Sequence, residues 1–203
     1  MVSQSPYEIV IRWLAPGDRG MPITSYSIYW TGVNPDLIPP EYTFMQTVPA
    51  VTLEQSIISV VPGKTYSFKV LATSDAGDSA LSSYVTIMAA QRPDQPVTPE
   101  LVYQSSTTIT FDWTPPSDNF NAISEYRIYW DQGVGAPFEL LGTSAGNSPI
   151  FTKDASTLPE LVPGEYYEFK VSAVNAIGES DISASVRIIA STVPDAPLQP
   201  RSV

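Results

Sequence analysis

Tyr26-Ser27-Ile28-Tyr29-Trp30 and Tyr126-Arg127-Ile128-Tyr129-Trp130 are one pattern written twice, and the distance between them decides the fold. Upstream of the first lie Ile11-Arg12-Trp13 and Pro16. Upstream of the second, at the same offset of 100, lie Phe111-Asp112-Trp113 and Pro116. Further along the offset becomes 101: Val61-Pro62-Gly63 is answered by Val162-Pro163-Gly164, and Tyr66-Ser67-Phe68-Lys69-Val70 by Tyr167-Glu168-Phe169-Lys170-Val171. Pro93-Asp94-Gln95-Pro96 is answered by Pro194-Asp195-Ala196-Pro197. A period of this length is a whole domain, well beyond the ~20–45 residues of a solenoid repeat. The chain therefore reads as two copies of one domain, residues 1–93 and 94–193, followed by a stretch, 194–203, that repeats the joint between them.

Within each copy the hydrophobic period is two. Tyr66, Phe68, Val70 and Ala72 alternate with Ser67, Lys69 and Leu71, and Tyr126, Ile128 and Trp130 alternate with Arg127 and Tyr129. Such alternation places one apolar face on a pleated strand. The runs are rich in β-branched and aromatic residues and are bounded by turn clusters such as Ala15-Pro16-Gly17-Asp18. No sustained apolar stripe at helical spacing occurs, and 20 prolines would interrupt long helices. Several short strands in about a hundred residues predict an antiparallel β-sandwich.

Composition removes several function classes. The 203 residues contain no cysteine and no histidine, which excludes disulfides, thiolate or imidazole metal sites and histidine-based triads. The net charge of −11 disfavours nucleic-acid binding, which rests on Lys and Arg. Residues 1–93 carry 7 acids and 5 bases and residues 94–203 carry 14 and 5, so the excess is concentrated in the second copy. No apolar run approaches the ~20 residues of a membrane helix, and no basic start followed by an apolar stretch is visible. Asp75, Asp78, Glu179 and Asp181 fall on predicted exposed turns and read as solvated acids more readily than as a carboxylate pair. Together with Asp18 and Asp118 they could supply oxygen ligands for calcium, but no D-x-D-x-D-G loop is present. No cofactor or metal is expected.

The strand-B tryptophans Trp13 and Trp113, the Tyr-x-Ile-x-Trp strands, the Leu161-Val162-Pro163-Gly164-Glu165-Tyr166-Tyr167 run and the Asn175-Ala176-Ile177-Gly178-Glu179-Ser180 run together resemble a tandem pair of fibronectin type III domains. That resemblance implies an all-β fold of about seven strands per domain. It implies that Trp13, Trp30, Trp113 and Trp130 belong to the inter-sheet core, and that Tyr66 and Tyr167 form tyrosine corners, each hydroxyl bonded to backbone a few residues upstream. Gly77 and Gly178 would supply a positive φ before the last strand. An extracellular or surface location follows from the family alone. Asp18-Arg19-Gly20 is not Arg-Gly-Asp, and Asn147-Ser148-Pro149 is no glycosylation acceptor.

The frame of the repeat is shifted. In the second copy Val97-Thr98-Pro99-Glu100-Leu101-Val102 reads as strand A, whereas only Met1–Pro6 precede the Tyr7–Trp13 strand of the first. The strand A of the first copy is expected to be missing or truncated. Asp195, Pro197, Leu198, Pro200, Ser202 and Val203 carry the same strand-A pattern, and Tyr7, Ile9, Ile11 and Trp13 would form the strand that accepts it. Three functions stay open: a structural spacer whose copies join in line, a protein- or glycan-binding module using its end loops or C′ face, and an accessory part of a larger enzyme. The aromatic and aliphatic residues Tyr42, Phe44, Met45, Phe138, Leu140 and Leu141 of the C′ region are expected to be mainly core.

Overall fold

The computed structural model describes residues 4–32, 41–133, 135, 137–154, 159–194 and 199. The chain divides into two compact units, Met1–Gln91 with Asn119–Asn121, and Arg92–Asp118 with Ala122–Val203. Both are built from strands, and no helix occurs among the described residues.

The first unit contains β1 (Gln4–Ser5), β2 (Glu8–Arg12), β3 (Ile23–Trp30), β4 (Thr43–Pro49), β5 (Glu54–Ile57), β6 (Thr65–Ser74), β7 (Gly77–Asp78) and β8 (Val85–Met88). The second contains β9 (Glu100–Gln104), β10 (Ile109–Asp112), β11 (Glu125–Trp130), β12 (Glu139–Ala145), β13 (Ile150–Lys153), β14 (Tyr166–Val174) and β15 (Val186–Ile189). In each unit a three-stranded sheet, β1-β2-β5 or β9-β10-β13, faces a larger one, β4-β3-β6 with β7 and β8 on β6, or β12-β11-β14-β15. All pairings are antiparallel.

The inner faces follow from the alternation. In β11, Tyr126, Ile128 and Trp130 are buried while Arg127 and Tyr129 point outward. Trp130 stacks on Tyr167 with centroids 5.8 Å apart and planes at 14°, and Trp30 stacks on Tyr66 with the same distance and angle. Offset stacking of this kind adds to the large area each ring removes from water. The Tyr66 hydroxyl accepts the Val61 N–H at 2.7 Å, and the Tyr167 hydroxyl accepts the Val162 N–H at 2.7 Å. Each bond ties the chain ahead of β6 or β14 to the core, satisfying a donor no strand partner reaches. Gly77, at φ 121°, occupies a backbone region that a side chain would strain.

Several expectations need correction. Ahead of β2 the described residues include a two-residue strand, β1, paired through Gln4↔Ile9 and Ser5↔Glu8. Tyr7 lies in the tight turn between them and is 63% exposed, so it is not a residue of the strand. In the second unit the strand begins at Glu100, after Pro99, because proline cannot donate to the ladder. Trp13 and Trp30 are half-buried where Trp113 and Trp130 are buried. Phe44 and Leu140 are exposed. The register shifts between Ile28 and Tyr29 and again between Ile128 and Tyr129. This equivalent bulge turns Met45 and Leu141 onto the core and leaves Phe44 and Leu140 on the outer face. Asp195, Pro197, Leu198, Pro200, Ser202 and Val203 lie outside the described residues.

Burial sets the expected cost of truncation. Trp113→Ala should destabilise the second unit by about 3–5 kcal/mol, and Trp13→Ala should cost the first clearly less, because its ring already meets solvent. Denaturant unfolding followed through the signals of each unit measures both, and equal losses would contradict this order. Tyr66→Phe and Tyr167→Phe should each cost about 1–3 kcal/mol, by stranding a backbone N–H. A change near zero in the same melts would show that the corner bond is dispensable.

Candidate functional site

No group of three or more acidic residues placed to hold a metal ion occurs among the described residues. Asp78 accepts the Thr73 hydroxyl at 2.7 Å, and Asp181 pairs with Arg92 at 3.1 Å. Asp18 accepts the Gly20 N–H at 3.1 Å, an Asx-type turn contact.

Glu179 departs from the reading as a solvated turn acid. It is half-buried and accepts the Ser172 hydroxyl at 2.6 Å, the Tyr129 hydroxyl at 2.6 Å and Arg127 Nη1 at 2.7 Å. Arg127 Nε also donates to Glu125 at 3.0 Å. Burial pushes the Glu179 carboxyl up, but the two hydroxyls and the guanidinium outweigh it and hold the group below its usual range. A carboxylate saturated by three donors is a poor general base, since its lone pairs are engaged and its basicity is lowered. Its work is to fasten the Gly178–Ser180 turn to the outer face of β11 and β14. The alternation that placed Arg127 and Tyr129 on that outer face was the available signal for this cluster.

Lys153 is the other group that sequence reading missed. It is fully buried at the position opposite Ile109, where the first unit sets Ile57 opposite Ile9. Its Nζ donates to the Asp154 carbonyl at 3.1 Å and lies 5.5 Å from the Trp130 ring centre. Burial pushes the Lys153 ammonium pKa down. The arrangement is that of a long side chain whose stem packs in the core while its head reaches backbone and an aromatic face.

Two kinds of surface are presented for contact. On the C′ side, Lys69 caps the Tyr42 ring at 4.3 Å and Lys170 caps the Phe138 ring at 3.9 Å, so both units carry an outward cation–aromatic pair. These lie near exposed Phe44 and Leu140 in sequence and strand position. The second surface belongs to the first unit. An apolar groove of about 360 Å³ runs past Trp13, Leu14, Tyr26, Val70, Ala80 and Ser82. Beside it, a broader and more polar depression of about 710 Å³ lies between the Pro16–Met21 loop and the Ser74–Ala80 turn.

Of the expected acceptor residues, Ile9 and Ile11 are buried in β2, and the Trp13 N–H donates to the Leu53 carbonyl at 3.1 Å. The described pairing of β1 reaches only Glu8 and Ile9 on β2. In the second unit β9 runs along the full length of β10, through Ile109↔Gln104, Thr110↔Tyr103, Phe111↔Leu101 and Asp112↔Glu100.

The domain model described as "Fibronectin type III domain" matches residues 1–88 and 94–189. Fibronectin type-III domain-containing protein 3A of Homo sapiens is 29% identical over 192 residues, which is 94% of this chain and 15% of that protein. Protein sidekick-2 of Mus musculus is 29% identical over 191 residues, which is 88% of this chain and 8% of that one. The chain thus spans a small part of either relative. A two-domain fibronectin type-III segment of chicken tenascin superposes with a TM-score of 0.50 at 17% identity, covering 93% of this chain and 96% of the segment. That last likeness concerns the fold. Two matched stretches, two sandwiches and a repeated aromatic core together place this chain in the fibronectin type III family, as two such domains in tandem.

Proposed function

We propose that this chain is a non-catalytic structural spacer whose two domains, residues 1–93 and 94–193, make protein–protein contacts and join copies in line at the surface of a cell or outside it. One observation carries the proposal. Among the described residues β1 accompanies β2 at Glu8 and Ile9, whereas in the second unit β9 accompanies β10 as far as Phe111 and Asp112. A strand edge that its own chain leaves open is a template for an added strand. Asp195–Val203 repeats the pattern of the segment that covers the second unit, and its insertion beside β2 of another molecule links units head to tail. Contacts of that type, when they do not close, build filaments. The surface location rests on the family and on relatives such as a receptor-type tyrosine-protein phosphatase S of Gallus gallus, 25% identical over 183 residues.

Deletion of Asp195–Val203 should abolish concentration-dependent assembly in light scattering. A full chain that stays monomeric at high concentration would contradict in-line joining. Asp18, Asp78, Glu179 and Asp181 are engaged with hydroxyl, amide or guanidinium donors, so millimolar calcium should leave the melting temperature unchanged. A rise of several degrees that a chelator reverses would reinstate a calcium role.

A further inference from the structure

In the second unit β9 lies at the edge of its sheet, in the order β13-β10-β9. Three consecutive large apolar residues of this strand are exposed: Leu101 by 46%, Val102 by 53% and Tyr103 by 56%. Leu101 pairs with Phe111 and Tyr103 with Thr110, while Val102 is the extra residue of the bulge and has no counterpart on β10. An edge strand that shows apolar side chains in a row is a template for an added strand. The window is short. Pro99 closes it on one side, since proline lacks the N–H that a ladder needs. The Ser105–Thr108 turn closes it on the other, where the Ser105 N–H donates to the Thr108 carbonyl at 2.7 Å.

The same strand carries an unanswered charge. Glu100 stands directly opposite Asp112 on β10, and both are exposed. Like charges opposite one another on neighbouring strands repel. Among the described residues neither carboxylate has a hydrogen bond or an ion pair. The first unit is different at the equivalent place. Arg12 pairs with Glu54, and Ile150 stands opposite Asp112 where Glu54 stands opposite Arg12. The two acids border a polar concavity of about 210 Å³, which Val97, Thr98, Trp113 and Thr114 complete. The bulge brings Tyr103 to this face as well, because Tyr103 and Glu100 pair with Thr110 and Asp112, two positions apart on β10.

We propose that β9 is a docking edge for an extended segment of another protein, apolar in part and carrying a lysine or arginine that meets Glu100 and Asp112. A strand laid along β9 sets its own side chains alternately on the two faces of the sheet. Its apolar residues cover Leu101, Val102 and Tyr103, and a cationic one on the Glu100 face reaches the two carboxylates. A guanidinium suits them because it offers parallel N–H donors, and the Thr98 and Thr114 hydroxyls can accept those left over. Charge selects such a partner over a second copy. Residues 94–203 hold 14 acids and 5 bases, so two second units repel each other, whereas a basic segment is attracted. This strand is not the one used in the in-line joining proposed above, and either reading can fail without the other.

The test uses the full chain, isotope-labelled and at low ionic strength, titrated with a capped peptide Thr-Val-Thr-Val-Arg-Thr. A second peptide carries glutamate in place of the arginine. The Leu101, Val102 and Tyr103 amides should shift saturably, and the arginine peptide should bind at least about fivefold more tightly than the glutamate one. Raising the salt to about 1 M should remove most of that difference. Glu100→Gln together with Asp112→Asn, both at exposed positions, should also remove it while leaving the shifts on β9 in place. Absence of saturable shifts on β9, or equal binding of the two peptides by the unaltered chain, would overturn the inference, whatever light scattering shows of assembly. Shifts of the same amides with concentration of the chain alone would put a second copy on this edge and overturn the basic partner.

Discussion

The constraint on which these sandwiches depend is closure around the tryptophan just after the first long strand. Without disulfides, the sheets are held by an aromatic column, Trp30 on Tyr66 in one unit and Trp130 on Tyr167 in the other. The ring of Trp13 or Trp113 sits at the margin of that column, edge-on to Tyr26 at 5.6 Å or Tyr126 at 5.0 Å. A marginal ring is fully removed from water only if something beyond the two sheets covers it. Trp113 is buried, whereas Trp13 is half-buried and lines a groove.

Much of this was legible in the residues. The repeat gave two domains of one kind, and period-two alternation placed Tyr126, Ile128 and Trp130 on the inner face. The tyrosines of the two corners stand five residues after the amides they accept, within the run that carried the resemblance. What escaped was set by other parts of the chain. Alternation alone could not reveal the bulge that turns Phe44 and Leu140 outward, because a single inserted residue reverses the face of everything beyond it. Lys153 was missed because its strand lies between stretches that differ most between the copies, where no offset aligned it with Ile57. Glu179 was read as a solvated acid because its partners Tyr129, Arg127 and Ser172 come from other strands. Pro99 was read within strand A, whereas it continues the burial at every third residue that Pro93 and Pro96 begin ahead of β9.

Amide hydrogen exchange at four matched positions tests the account most directly. Val70 and Ala72 line the groove and are half-buried, Val171 and Ala173 are their buried counterparts, and all four amides donate to serine hydroxyls. If burial of this face sets the difference between the two units, Val171 and Ala173 should exchange more slowly than Val70 and Ala72. Equal protection of the four amides would contradict the account.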